Sequence, residues 1–221
     1  MVLKKLIFPT TCVVCGGITE SNSSHICNRC YRALPFRRSF FFNCPTKNDG
    51  LQYCHGIFCP LHYMGEVPKL ISSLKFSGHK EVGIVLGGLL AKQLLRSGFN
   101  KSGSVLIPVP LHRDRERRRG YNQAEVIARA VSLKTGIPLK SDWLLRRNNT
   151  APQHHGNRIQ RLSLDPGFVA SPRVRGKVVI LVDDVITTGA TLETAAKILR
   201  ANGARAVYYA ATAGNLPLNG E

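Results

Sequence analysis

The sequence predicts an α/β fold, a parallel sheet flanked by helices, with a small cysteine-rich module ahead of it. Three observations carry that prediction. Apolar runs of strand length alternate with helical periodicities after Met64. The strongest of those runs leads into two adjacent carboxylates and a Thr/Gly loop, and all seven cysteines lie at or before Cys59. Strands and helices that alternate pack as a parallel sheet, because each helical crossover returns the chain to the same end of the sheet.

The elements follow in order. From Val67, Leu70, Ile71 and Leu74 recur at spacings of three and four and stop at Phe76-Ser77-Gly78, which predicts a helix. A second helix is expected over 81–97. Residues 104–110 read as a short buried strand stopped by Pro108 and Pro110, and 123–135 as a helix closed by Gly136. Residues 177–182 form a continuous apolar run, 192–202 a helix closed by Gly203, and 206–213 a further apolar strand. Between them, 146–168 show no periodicity. A stretch of that length inside a compact domain predicts an active-site lid carrying Thr150, Gln153 and Arg158, with an ordinary surface loop as the alternative.

With 221 residues and 43% hydrophobic composition, the chain can bury the core of one domain plus an appendage. Lys and Arg number 31 against 13 Asp and Glu, a net charge of +18. Such an excess attracts polyanions through counterion release, which favours nucleic acid or a multiply phosphorylated ligand; a solvated basic surface is the other account. No secretory signal is visible, since the first ten residues hold only Leu6-Ile7-Phe8 before Pro9. The longest apolar stretches, 84–91 and 178–182, fall far short of the roughly 20 residues that span a bilayer. The expectation is a cytoplasmic chain without membrane insertion, where thiols serve metals or redox chemistry rather than disulfides.

The chain divides near His62. Residues 1–62 carry the cysteines and little periodicity, as in a zinc-ribbon-like module held by metal; 63–221 carry the strands and helices. Cys12-Val13-Val14-Cys15 and Cys27-Asn28-Arg29-Cys30 are two CxxC units whose spacing lets four thiolates converge on a structural Zn²⁺. Thioredoxin-like chemistry would need one CxxC in a βαβ context, which is missing. Cys44, Cys54 and Cys59, with His55 and His62 nearby, are too loosely spaced to define a second zinc. Buried free cysteines account for them as well.

Residues 182–191 hold the most specific chemistry. Adjacent Asp183 and Asp184 at a strand's carboxyl end sit where open α/β sheets bind ligands. They suit the vicinal hydroxyls of a ribose, or a divalent cation. Thr187, Thr188, Gly189, Ala190 and Thr191 lead straight into a helix. Their hydroxyls and backbone N–H groups can wrap a phosphate, Gly189 permits close approach, and the helix N-terminus adds partial positive charge. An acidic cap on a βα turn would need only one Asp. Residues 113–119, Arg-Asp-Arg-Glu-Arg-Arg-Arg, suit a pyrophosphate cradle, while a solvated charge run or a nucleic-acid patch would look the same. Arg119, Asn122 and Gln123 fall at the start of a predicted helix, where an anion docks.

The apolar strand, the paired acids and the Thr-Thr-Gly-x-Thr loop resemble the fingerprint of type I phosphoribosyltransferases. Adding the CxxC pair, Tyr63-Met64-Gly65, Leu74-Lys75-Phe76, residues 107–112 and residues 118–124, the chain resembles the ComF-type competence proteins over nearly its whole length. The resemblance implies the type I phosphoribosyltransferase fold. It implies that Asp183 and Asp184 hold ribose hydroxyls as the catalytic pair, and that Thr187, Thr188, Gly189, Ala190 and Thr191 cradle the 5′-phosphate of phosphoribosyl pyrophosphate. Mg²⁺ would accompany that ligand, and Lys75 would approach its pyrophosphate; a basic residue at a helix end is the other account of that lysine.

A role in bacterial uptake of DNA, or its use as a nutrient, follows by the same resemblance, with single-stranded DNA or a DNA-uptake protein as partner. Two functions stay open: an enzyme transferring a pentosyl group, and a non-catalytic module that senses phosphoribosyl pyrophosphate while binding DNA or a partner. One departure concerns the cysteines. Many relatives have a second CxxC pair, whereas here Cys44-Pro45-Thr46-Lys47 ends in Lys. No stretch announces a pocket for an acceptor base.

Overall fold

The computed structural model describes residues 10–19, 25–39, 41–43, 51–99, 102–147 and 167–216. In chain order its elements are α1 (Asn28–Arg32), β1 (Ile57–Phe58), β2 (Leu61–His62), α2 (Val67–Phe76), α3 (Lys80–Arg96), β3 (Ser104–Pro108), α4 (Arg113–Arg119), α5 (Gln123–Thr135), β4 (Leu144–Arg146), β5 (Phe168–Ala170), β6 (Val178–Ile186), α6 (Ala190–Ala201) and β7 (Ala206–Gly214).

The main sheet is parallel throughout. β3 pairs with the first half of β6, β6 with β7, and β7 on its other side with β1 and then β2. Because successive strand residues face opposite ways, the sheet has a core on each side. Ile180 and Val182 of β6 join Leu106 beneath α2, α3 and α5, whose Leu70, Leu86, Leu90, Ile127 and Val131 are fully buried. Val179 and Leu181 join Val105 and Ile107 beneath α6, with Leu192, Ala195, Ala196 and Leu199. Each of the Val, Leu and Ile side chains among them contributes about 1.5–3 kcal/mol by leaving water. At Gly87 a Cβ would come within 2.7 Å of both Ala130 Cβ and the Ile127 carbonyl, so glycine there lets α3 and α5 approach closely.

The expected helices over 67–76 and 123–135 are present with those bounds, and the one expected over 81–97 spans Lys80–Arg96. Three features differ from the sequence expectation. β6 continues four residues past Val182, so Asp183 and Asp184 are strand residues. Its partner stays alongside, with Asp183 opposite Ala211 and Ile186 opposite Gly214, and ladder hydrogen bonds hold the chain extended after the apolar run has ended. The arginine run is a helix. α4 buries none of its side chains and so carries no hydrophobic period; Gly120, at φ 74°, closes it, and three arginines in its last turn complement the dipole. The third is the stretch 146–168, whose ends are regular: β4 and β5 pair antiparallel and Arg147 N–H donates to the Gly167 carbonyl at 3.1 Å. Thr150, Gln153 and Arg158 lie outside the described residues.

β1 and β2 come from before Tyr63 yet belong to the main sheet. Arg37 reinforces that edge: it is 7% exposed and donates from Nη2 to the Gly214 carbonyl at 2.9 Å. Cys12, Ile26, Cys27, Cys30 and Leu34 share the core that α2 and α3 cover. Among the described residues, no helix is long and apolar enough to cross a membrane.

Candidate functional site

The end of β6 and the start of α6 enclose a small pocket lined by Asp183, Ile186, Thr187, Thr188, Gly189, Ala190 and Thr191. Gly189 is the N-cap of α6, with φ 75° and no side chain to occupy the first-turn N–H groups. A Cβ there would also stand 2.7 Å from Leu51 Cδ2, so the position disfavours other residues on two grounds. Thr187, Thr188, Ala190 and Thr191 are exposed. The loop is held from outside by Glu193, whose carboxylate accepts from the backbone N–H of Gln52 and of Tyr53 (3.0 Å) and from the Tyr209 hydroxyl. Nothing in the sequence signals the hold on Gln52 and Tyr53, because they lie some 140 positions away.

As neighbours on a strand, Asp183 and Asp184 point to opposite faces. Asp183 lines the loop pocket, and its Oδ1 accepts from the Asp184 N–H at 2.8 Å. Burial, and then the adjacent Asp184 charge, push its carboxyl up to about 7. Asp184 is 4% exposed. Its Oδ2 lies 2.9 Å from Lys75 Nζ, in the last turn of α2, and its carbonyl accepts from Thr212 Oγ1 at 2.7 Å.

Lys75 also lines a cavity of about 560 Å³ with Phe76, Gly78, Arg115, Arg118 and Arg119. Four cations thus face one space, and Arg119 lies over the Phe76 ring at 5.1 Å. Positions 115, 118 and 119 share one face of α4, a helical spacing that identifies Arg115 and Arg118 once the run is seen as a helix. Asn122 and Gln123 are placed differently. Asn122 is buried, caps α5 by accepting from the Ala124 N–H at 2.9 Å, and donates to the Val109 carbonyl at 3.0 Å. Gln123 is 4% exposed and does not line the cavity.

The sulfurs of Cys12, Cys15, Cys27 and Cys30 lie within 4.8 Å of one another, with Cys15 and Cys27 3.8 Å apart. The Gly17 N–H, helped by Cys30, lowers the exposed Cys15 thiol to about 6, while burial and the neighbouring sulfurs push Cys30 up to about 12. Four soft donors that cannot share negative charge without a cation among them fit a tetrahedral metal such as zinc. Cys54 and Cys59 instead donate to the Gly56 and Leu61 carbonyls and join no such cluster among the described residues; Cys44 lies outside them.

Residues 78–216, which carry α4, the loop pocket and β7, match the phosphoribosyl transferase domain family. The chain is 33% identical over 217 residues to Competence protein F of Haemophilus influenzae, covering 89% of this chain and 93% of that one. It is 30% identical over 202 residues to DNA utilization protein YhgH of Escherichia coli K12 (89% and 86% covered), and 29% identical over 217 residues to the YhgH protein of Salmonella typhimurium (91% and 96% covered). A domain match over more than half the chain and full-length relatives of this kind lead to one assignment: the chain belongs to the phosphoribosyl transferase domain family and, within it, to the ComF-type competence proteins.

Proposed function

We propose that this protein binds phosphoribosyl pyrophosphate with Mg²⁺ and transfers its pentosyl group, in the setting of bacterial DNA uptake or use of DNA as a nutrient. The observation that carries this is the Lys75–Asp184 pair, which fixes Lys75 of the four-cation cavity to the strand end whose adjacent residue, Asp183, lines the loop pocket. In this reading Thr187, Thr188, Gly189, Ala190 and Thr191 hold the 5′-phosphate through hydroxyls and first-turn N–H groups. Asp183 accepts from a ribose hydroxyl, and Asp184 orients Lys75. Lys75, Arg115, Arg118 and Arg119 face the pyrophosphate, where negative charge grows as its bond to ribose C1 breaks. Arg119, the last residue of α4, faces the cavity, whereas Asn122 caps α5 and Gln123 is buried away from the cavity.

The hard oxygens of Asp183 and Asp184, one of them destabilised as an anion by burial, suit Mg²⁺, which when bound neutralises charge on the leaving group. Zinc at the four cysteines is structural in this account, and the module of residues 1–62 contributes β1 and β2 to the sheet of the domain formed by residues 63–221. In this reading the protein works in the cytoplasm.

Calorimetric titration with phosphoribosyl pyrophosphate and Mg²⁺, then a screen of bases and amines for released pyrophosphate, tests this. Binding is expected to weaken more than tenfold in Asp183→Asn. Pyrophosphate release that survives both Asp183→Ala and Asp184→Ala overturns the enzymatic account.

One observation favours the second function, a sensor that binds single-stranded DNA. Tyr31, Phe36, Arg32, Lys92 and Arg96 line a groove of about 430 Å³, where half-exposed Phe36 meets Tyr31 edge-on at 5.9 Å. Aromatics beside cations stack bases and track phosphates. Ligand binding without turnover, together with salt-sensitive DNA binding weakened by Phe36→Ala, would select this function. No DNA binding at low salt removes it.

A further inference from the structure

A second group of ligating side chains lies apart from the cysteines. His25, His79 and Glu81 bring their donor atoms within 4.8 Å of one another. They come from separate segments: His25 stands two residues before Cys27, while His79 and Glu81 open α3. His25 Nε2 is 3.7 Å from Glu81 Oε2, and the two imidazole centroids are 4.9 Å apart with planes tilted by 41°. Donors bound to one tetrahedral zinc-sized ion at 2.0–2.2 Å lie roughly 3.4 Å apart, so shifts of rotamer size close this group on an ion.

The backbone holds the group in place. The His25 carbonyl accepts from the Val13 N–H at 2.9 Å, which fixes it to the first knuckle. His79 follows Gly78, at φ 73°, and its carbonyl accepts from the Val82 N–H at 3.1 Å. His79 occupies the N-cap position of α3 but makes no side-chain cap. Its ring is set beside that of His25 instead. An ion pair with Glu81 would need only one imidazole, and the nearby Lys80 ammonium is directed elsewhere, over the Tyr121 ring at 4.8 Å. The two histidines are partly buried and Glu81 is exposed, so the group opens to solvent on one side.

We propose that His25, His79 and Glu81 form a second metal site that takes one first-row divalent ion of the zinc class, with water in the remaining position. Two imidazoles and a carboxylate are the donor set such ions accept with an open position. The ion ties the knuckle segment to the start of α3. Residues 76–78, immediately before it, include Phe76 and Gly78 in the wall of the four-cation cavity, so occupancy steadies that wall. The site does not depend on what the cavity binds.

Full-length protein, dialysed against micromolar Zn²⁺ and measured by plasma mass spectrometry, is expected to hold two equivalents, and His79→Ala and Glu81→Ala one each. Cobalt substitution reports the two sites separately, because only the cysteine cluster gives thiolate-to-metal charge transfer in the near ultraviolet. That band is expected unchanged in both variants, which shows the module still folded. One equivalent in the wild-type protein, or two persisting in both variants, overturns the proposal. If His79→Ala loses the charge-transfer band, Glu81→Gln at its exposed position decides: a second equivalent bound there as tightly as in wild type overturns it, and weakening of at least tenfold supports it.

Discussion

Lys75 Nζ and Asp184 Oδ2 lie 2.9 Å apart, with the carboxylate side chain only 6% exposed and the lysine 25%. The last turn of α2 is thereby locked to the acidic end of β6, with the carboxylate buried and the ammonium reaching the cavity. The pair joins a helix that packs on one face of the sheet to the strand that carries the loop.

Removing one partner leaves the other charge buried and alone. Lys75→Met should lower stability by roughly 3 kcal/mol, and the double variant Lys75→Met with Asp184→Asn should recover part of that loss, because neither site then holds an unpaired charge. Urea unfolding midpoints of the four proteins measure both effects. A double variant no more stable than Lys75→Met alone contradicts the pairing.

Asp183 gives stability a sign with pH. Its carboxyl sits at about 7 in the folded chain against 3.8 ordinarily, so between these values the folded state keeps a proton that the unfolded state has released. Stability from this group therefore falls as pH rises from about 4 to about 7 and levels off above. Asp183→Asn should flatten the dependence of the urea midpoint on pH across that window. An unchanged slope would mean that the carboxyl titrates as an ordinary one.

Gly189→Ala should cost about 1–3 kcal/mol, since the new Cβ must adopt a left-handed φ and displace Leu51. Adding Leu51→Ala relieves the clash but not the backbone strain. Thermal unfolding should thus show a partial recovery, while binding of phosphoribosyl pyrophosphate stays weakened in both variants.

Stripping metal from the cysteine cluster should lower the melting temperature of the whole protein instead of melting the module alone. Cys12, Cys27 and Cys30 share a continuous core with Leu70, Leu74 and Leu86. Differential scanning calorimetry before and after strong chelation, with Cys27→Ser as control, tests this. A chelated protein that melts at the untreated temperature contradicts a metal-held cluster.

The helices over 67–76 and 123–135 were legible because each buries one face, and the parallel sheet because its strands are apolar on both. The extension of β6 was not: hydropathy ends at Val182, but hydrogen bonding to β7 continues to Ile186. α4 escaped because a helix that buries nothing has no apolar period. In the candidate site, the acids and the threonine loop are local in sequence and were plain. Asn122 shows the limit of locality. Its position at a helix start suited an anion contact, yet its amide serves the Ala124 N–H and the Val109 carbonyl, a fact set by the close packing of α5 on β3. The clamp of Glu193 on residues 52 and 53 and the meeting of His25 with His79 are properties of the folded chain only.

The central place of β7 bears on the order in which the protein can be made. β1 and β2 have β7 as their only ladder partner among the described strands, across a separation of roughly 150 residues. On a translating ribosome the cysteine cluster can gather early. The strands beside it must wait, with open edges, until residues 206–214 emerge and slot between them and β6. A nascent chain arrested before Ala206 is therefore the form most exposed to aggregation and most in need of a chaperone.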